Sequence, residues 1–224
     1  MSLLIFDCDG VLVDSEVIAL DVLRQMLADL GKPMSLAECR QRFMGRRTRD
    51  VLAEIEKELG HPIPADTGLR MKALLFERFR RELRPVAGVK DAIAHLPGPI
   101  CVASSSPPER IALSLEVTGL ATLFGDRVFS AEQVPEGKPA PDLFLFAAKS
   151  MGASARETIV IEDSTPGVLA ARRAGMAVVG FAGASHSDDA LVTALHAVGA
   201  DAILTSMADL PRAVEKLRAG QAVA

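Results

Sequence analysis

A chain of 224 residues is long enough for one or two domains, and its 49% hydrophobic and 24% charged residues are typical of a globular protein, not a disordered one. The net charge of −4 does not favour a nucleic-acid partner or an anionic membrane surface. No apolar run approaches the length of a membrane span, and no basic region with a cleavable apolar segment begins the chain.

The three cysteines, Cys8, Cys39 and Cys101, are scattered and lack the CxxC spacing of a zinc site. An odd, unpatterned set indicates reduced thiols in a cytosolic compartment, and it does not favour a disulfide framework. We therefore expect a cytoplasmic protein, and we expect it to act as a monomer.

Residues 3–16 predict a buried strand that ends in acidic residues. The apolar run 3–6 has no polar alternation, which is typical of a strand buried on both faces of a parallel sheet. Asp7 and Asp9 follow at once, and Gly10 allows a sharp turn behind them. Asp and Gly are also ordinary turn residues. However, two carboxylates this close repel each other unless a cation lies between them, so we favour a functional role.

Residues 15–84 predict a helical segment that follows this strand. Apolar residues recur at three- and four-residue spacing over 16–31, and the pattern stops at a glycine. Further helices are expected at 36–44, 49–59 and 68–83. Four helices without a strand predict a small bundle, inserted as a domain of its own.

From residue 85 onward, apolar runs alternate with helical patterns. Five more strands are predicted, at PICVASSS, RVFS, ETIVIED, MAVVGF and ADAILT. This alternation predicts an α/β fold with a doubly wound parallel sheet. The sheet domain would consist of residues 1–14 and 85–224, and the helical domain of residues 15–84.

The stretch FDCDGVLVDS resembles motif I, DxDG(V/T)LxDS, of the haloacid dehalogenase (HAD) superfamily. Ser104, Lys138 in KPAPD, and the pair Glu162–Asp163 are similar to its other three motifs and come in the same order. The resemblance covers essentially the whole chain. It implies a Rossmann-like core and a helical C1 cap that closes over the active site. The chain looks closest to the branch with 6-phosphogluconate phosphatase and β-phosphoglucomutase.

Two groups of residues are candidates for phosphate binding. Ser104, Ser105 and Ser106 precede a helix, where serines cap the N-terminus and where free N–H groups bind anions. Lys138, taken alone, would be a solvated surface residue. The resemblance implies that the Ser104 hydroxyl and the Ser105 backbone N–H bind the phosphoryl group. It also implies that Lys138 neutralises the phosphate and the nucleophile.

The strand TIVIE ends in Glu162 and Asp163, which would face Asp7 and Asp9 across the sheet edge. Asp163 could equally cap the following helix. So many carboxylates together need a hard cation, and oxygen ligands with open water positions suit Mg2+. The resemblance implies the Asp7 carboxylate, the Asp9 carbonyl and Asp163 as ligands, with Glu162 supporting the metal directly or through water.

The resemblance implies a Mg2+-dependent phosphatase. Asp7 would attack phosphorus to form an aspartyl-phosphate, and Asp9 would protonate the leaving group and later activate water. The expected substrate is a small phosphorylated metabolite, namely a sugar phosphate or a sugar-acid phosphate such as 6-phosphogluconate.

The main alternative is a phosphoryl-transferring mutase similar to β-phosphoglucomutase. A cap histidine helps that enzyme to control its acid–base aspartate, whereas Ala19 at the matching position has no hydrogen-bonding side chain. We therefore expect hydrolysis to dominate. A dehalogenase would lack the second aspartate, Asp9, and a catalytically silent binding module would be expected to have lost Asp7 or Asp9.

Two sets of basic residues lie outside these motifs. Arg46, Arg47 and Arg49 form either a solvated face or a site for a second anionic group of the substrate. The histidines show no metal-ligand spacing and are expected to be ordinary and partly exposed. They are His61, His95, His186 and His196.

Overall fold

The computed structural model of the protein describes residues 2–43 and 48–221. The chain divides into two compact units: a sheet unit, made of the chain up to Asp14 and from Arg84 onward, and a helical unit, Ser15–Leu83. The predicted domain boundary places Arg84 in the helical domain. In the structure, the Arg84 carbonyl accepts a hydrogen bond of 3.0 Å from the backbone N–H of Asp14, inside the sheet unit.

The helical unit contains four described helices, which begin and end close to the predicted residues. They are α1 (Glu16–Asp29), α2 (Leu36–Phe43), α3 (Thr48–Leu59) and α4 (Thr67–Glu82). On α4, Met71, Leu75 and Phe79 recur at four-residue spacing and are buried. This spacing places them on one face of the helix, and α4 packs against α1.

The sheet unit is built on six parallel strands. They are β1 (Leu3–Phe6), β2 (Ile100–Ser104), β3 (Val128–Ser130), β4 (Thr158–Glu162), β5 (Ala177–Phe181) and β6 (Ala202–Leu204). Their order across the sheet is β3-β2-β1-β4-β5-β6. Every residue of β1 is buried, as the unbroken apolar run predicts. The predicted fold class, an α/β protein with a doubly wound parallel sheet, is confirmed.

Seven further helices belong to the sheet unit in the described chain. They are α5 (Val89–Ala94), α6 (Pro108–Val117), α7 (Ala121–Phe124), α8 (Asp142–Ser150), α9 (Thr165–Arg173), α10 (Asp189–Ala197) and α11 (Leu210–Gln221). Short 3₁₀ turns occupy Ala131–Gln133, Ala155–Glu157 and Met207–Asp209. Among all described helices, none combines the length and the apolar character that a membrane crossing requires.

The strand order reverses beside β1. The chain runs from β1 outward to β2 and β3, then crosses back to place β4 on the other side of β1. In open α/β sheets, ligands bind at the carboxyl ends of the strands where the order reverses. The residues that follow β1, β2 and β4 therefore come together at one edge.

Aromatic packing supports the end of β1. The ring of Phe6, the last residue of β1, meets the ring of Phe124 edge-on, with centroids 6.2 Å apart and an interplanar angle of 67°. Both side chains are fully buried. Edge-to-face pairs of this kind add stabilisation beyond the buried area.

We expect Phe124→Ala to lower the free energy of unfolding of the sheet unit by about 3–5 kcal/mol, because it leaves a cavity beneath Phe6. Leu145→Ala, on the exposed side of α8, is the control and should change it by less than about 0.5 kcal/mol. Urea unfolding followed by circular dichroism measures both. Equal losses in the two variants would contradict this account of the core.

Candidate active site

The loop after β1 carries the two aspartates of the first motif. The backbone N–H of Asp7 donates to the carbonyl of Ile161 on β4, at 3.0 Å, so Asp7 still follows the line of the sheet. The chain then turns tightly, with a 2.8 Å hydrogen bond from Gly10 N–H to the Val13 carbonyl. Gly10 has a φ of 78°, a conformation that favours glycine.

Lys138 lies at the centre of the site, not on the surface. Its Nζ lies 2.5 Å from Oδ1 of Asp7 and 2.6 Å from Oε1 of Glu162, and it also donates to the carbonyl of Ala103 at 3.2 Å. The ring of Phe144 lies beneath it, with its centroid 4.8 Å from Nζ. The side chain of Lys138 is only 5% exposed, so this charge acts in a medium that screens it weakly.

Burial raises the pKa of Asp7 well above its usual value, Lys138 opposes that rise, and the negative charges of three neighbouring carboxylates add to it. Burial by itself would lower the pKa of Lys138, but the charges of Asp7 and Glu162 outweigh it and raise that pKa. Lys138 is therefore a fixed positive charge. A further cation near Asp7 would oppose the rise in its pKa, as Lys138 does.

The Glu162 carboxylate lies between Lys138 and the start of α9. One of its carboxylate oxygens contacts Lys138, and the other accepts hydrogen bonds of 2.8 Å from both the backbone N–H and the hydroxyl of Ser164. Gly167 provides the space, because a Cβ there would overlap the Glu162 carboxyl group. Both oxygens thus contact protein donors, and the predicted role of Glu162, supporting a metal directly or through water, stays a prediction.

The Asp9 carboxylate is held by two donors from the segment after β2. Oδ2 accepts a 2.6 Å hydrogen bond from the Ser106 hydroxyl, and Oδ1 lies 2.6 Å from Nη2 of Arg110. Arg110 is absent from the sequence predictions. Its only sequence signal is its place in the first turn of α6, just after the serines.

The three serines after β2 have different environments. Ser104 is buried, and its hydroxyl accepts a 3.1 Å hydrogen bond from the backbone N–H of Ser106. Ser105 is exposed between them. The residue at the N-cap position of α6 is Pro107, so none of the three serines caps this helix. The phosphate-binding roles of Ser104 and Ser105 stay predictions.

Asp163 lies against Gly10 and His186. A Cβ on Gly10 would overlap the Asp163 carboxyl group, and Nε2 of His186 lies 3.2 Å from Oδ2 of Asp163. His186 is 3% exposed, so its prediction as an ordinary, partly exposed histidine is wrong. The other three histidines, His61, His95 and His196, are exposed.

The charges and ligand types fit a divalent cation. Within residues 2–43 and 48–221, no three His, Cys, Asp or Glu side chains are arranged to hold a metal ion. The predicted ligands are the side chains of Asp7 and Asp163 and the backbone carbonyl of Asp9, with Glu162 as a supporting group. Mg2+ typically takes one or two carboxylates and keeps several waters, so this set suits it.

The side-chain contacts of the three candidate substrate-binding arginines lie outside the described part of the structure. Arg46 and Arg47 lie outside the described residues. Arg49 belongs to α3, but its side chain is not among those described.

The chain belongs to the haloacid dehalogenase-like hydrolase family, whose model matches residues 1–175. This match and the parallel sheet with its acidic strand ends agree with the motif resemblance in the sequence. The chain is therefore an enzyme of the hydrolase class.

The chain is also similar to individual proteins. The chain is 29% identical to 6-phosphogluconate phosphatase of Escherichia coli over 81% of its own length and 83% of the relative's. A haloacid dehalogenase-like protein of unknown function from Agrobacterium tumefaciens has a similar structure, with a TM-score of 0.86, 37% identity, and coverage of 97% and 99% of the two chains. A HAD family hydrolase from Deinococcus radiodurans, with bound phosphate and sodium, has a TM-score of 0.79, 32% identity, and coverage of 97% and 96%.

The packing of Asp163 on Gly10 leads to a test with a matched control. Gly10→Ala and Gly175→Ala each place a Cβ at a φ near +75°, at a cost of about 1–2 kcal/mol, but only the first meets another group. We expect both variants to lose stability, and only Gly10→Ala to lose most of its hydrolase activity. Thermal melting and steady-state kinetics measure the two effects. Normal activity in Gly10→Ala would contradict the placement of Asp163.

Proposed function

We propose that this protein is a Mg2+-dependent phosphatase that hydrolyses a sugar phosphate or a sugar-acid phosphate through an aspartyl-phosphate. The observation that carries the proposal is the buried contact of Lys138 with Asp7 and Glu162, beside Asp9 and Asp163. A carboxylate nucleophile next to a fixed cation suits attack on a phosphate dianion. The similarity to a 6-phosphogluconate phosphatase supports the substrate class.

In the first step, a carboxylate oxygen of Asp7 attacks phosphorus in line with the leaving group. The new bond joins Asp7 to phosphorus, and the bond from phosphorus to the substrate oxygen breaks. Asp9 gives its proton to that oxygen as it leaves. Lys138, with the Ser104 hydroxyl and the Ser105 backbone N–H, offsets the charge on the equatorial oxygens.

In the second step, water attacks phosphorus and the bond to Asp7 breaks. Asp9, now ionised, takes a proton from this water, which restores the starting state and releases inorganic phosphate. A bound Mg2+, held by Asp7, Asp163 and the Asp9 carbonyl and supported by Glu162 directly or through water, would supply positive charge for the transferring phosphoryl oxygens.

We further propose that the helical unit acts as the cap that selects the substrate. In this role Arg46, Arg47 or Arg49 would read a second anionic group. Ala19, on α1, has no side-chain donor or acceptor, which supports hydrolysis over a mutase reaction.

Cytoplasmic location and a monomeric state are also proposed. Support for a reducing compartment comes from Cys8, Cys39 and Cys101, which are all buried and free.

The direct test is phosphate release from a panel of phosphorylated sugars, sugar acids and polyols with Mg2+ present. We expect turnover of at least one hexose or sugar-acid phosphate, and Asp7→Asn should abolish it, because the amide is not a nucleophile. Asp126→Asn, which changes an exposed aspartate of the same unit, is the control and should keep full activity. Substantial phosphate release by Asp7→Asn would contradict the assignment.

The same panel separates hydrolysis from transfer. With β-glucose 1-phosphate as substrate, we expect inorganic phosphate and negligible glucose 6-phosphate. Efficient isomerisation with little phosphate release would favour the mutase.

Metal binding is expected to stabilise the fold, because it offsets repulsion between Asp7 and Asp163. Saturating Mg2+, at about a hundred times its dissociation constant, should stabilise the protein by about 2.7 kcal/mol relative to chelator. Melting curves with Mg2+ and with EDTA at equal ionic strength measure this difference. Asp163→Asn should remove most of it. An equal melting temperature of the wild type with Mg2+ and with EDTA would refute the metal site.

A further inference from the structure

Both oxygens of the Asp9 carboxylate are fixed by one short segment of the sheet unit. Ser106 contacts Oδ2 and Arg110 contacts Oδ1, each at 2.6 Å. The two donors are four residues apart, on either side of the start of α6. Because each oxygen has its own donor, the rotation of the carboxylate about its side chain is restricted as well as its position.

This contact is well protected from water. The side chains of Arg110 and Asp9 are 20% and 14% exposed, and Ser106 is buried. Charge-assisted hydrogen bonds of this kind are shorter and stronger than neutral ones. We therefore expect the Arg110–Asp9 ion pair to hold its geometry more firmly than an exposed ion pair does.

The contacts leave Asp9 able to react. A carboxylate has about four lone-pair sites on its two oxygens, so accepting a hydrogen bond from Ser106 or Arg110 does not by itself prevent it from binding or releasing a proton. Arg110 and Ser106 can thus hold Asp9 in place during both steps.

We propose that Arg110, assisted by Ser106, is a positioning residue that aims the Asp9 carboxylate at the leaving-group oxygen. This proposal rests on the proposed function, because it takes Asp9 as the acid and base of the phosphatase reaction. Arg110 acts through Asp9 and has no direct role in binding the phosphoryl group. This separates it from Lys138, which touches the nucleophile itself.

The first experiment measures how the loss in rate depends on the leaving group. Substituted phenyl phosphates with leaving groups of rising pKa are hydrolysed by wild type, Arg110→Met and the control Arg156→Met, which changes an exposed arginine. We expect kcat/KM of Arg110→Met to fall about tenfold or more for the most basic leaving group and to stay near wild type for the least basic. KM should change little. Arg110→Lys should recover part of the loss, because it restores a cation.

The second experiment is a double-mutant cycle of Asp9→Asn with Arg110→Met. The readout is release of the phenol in a single turnover, which does not require the second step. The leaving group is chosen basic enough that Arg110→Met alone slows the reaction, while Asp9→Asn still reacts at a measurable rate. If Arg110 acts through Asp9, Arg110→Met should add nothing once Asp9 is Asn. Melting temperatures of all four proteins show whether they are folded. Ser106→Ala replaces Arg110→Met in the cycle if that variant does not fold.

The outcomes separate this inference from the function on which it rests. If Asp9→Asn hydrolyses basic leaving groups at the wild-type rate, the proposed function fails. If Asp9→Asn is impaired but the two substitutions lower the rate additively, or if Arg110→Met raises KM equally for every leaving group, Arg110 contacts the substrate and the inference is wrong. A loss independent of the leaving group would likewise overturn it.

Discussion

The site depends on one buried ammonium group. Nζ of Lys138 lies between the carboxylates of Asp7 and Glu162. Its positive charge offsets the repulsion between these two buried acids. Removing one member of a buried ion pair typically costs about 3–5 kcal/mol, because it leaves an uncompensated charge. The same contact that places a cation beside Asp7, the proposed nucleophile, therefore also holds the loop after β3 against the ends of β1 and β4. Stability and chemistry cannot be separated at this residue.

Two glycines allow this arrangement because they have no side chain. The carboxyl groups of Asp163 and Glu162 occupy the places where side chains at Gly10 and Gly167 would begin. The acidic groups can thus approach the backbone closely and keep definite orientations. At Gly10 the positive φ adds a second reason for glycine, whereas at Gly167 close approach alone explains the residue.

The sheet and the position of the candidate site could be predicted from the sequence, because both depend on local sequence patterns. The apolar run of β1 and the acidic residues after it predict a buried strand with a site at its end, and the alternation after residue 85 predicts the sheet. Contacts between residues far apart in the sequence could not be predicted. Arg110 is 101 residues from Asp9, and His186 reaches Asp163 from the loop after β5, so no spacing indicates either contact. The orientation of Glu162 toward Lys138 depends on the packing around it, which composition does not reveal.

The chain leaves the sheet unit and returns to it at neighbouring points. Asp14 and Arg84 are joined by a backbone hydrogen bond, and Val13 pairs with Pro85 in an antiparallel bridge. The two ends of the inserted segment are thus already closed by the sheet unit itself, and the entropy of closing a loop grows only slowly with its length. A segment of another size or fold could be grafted between these residues without moving the acidic groups at the ends of β1 and β4. If the inserted unit selects the substrate, as we propose, substrate range and reaction chemistry are free to evolve separately on this scaffold.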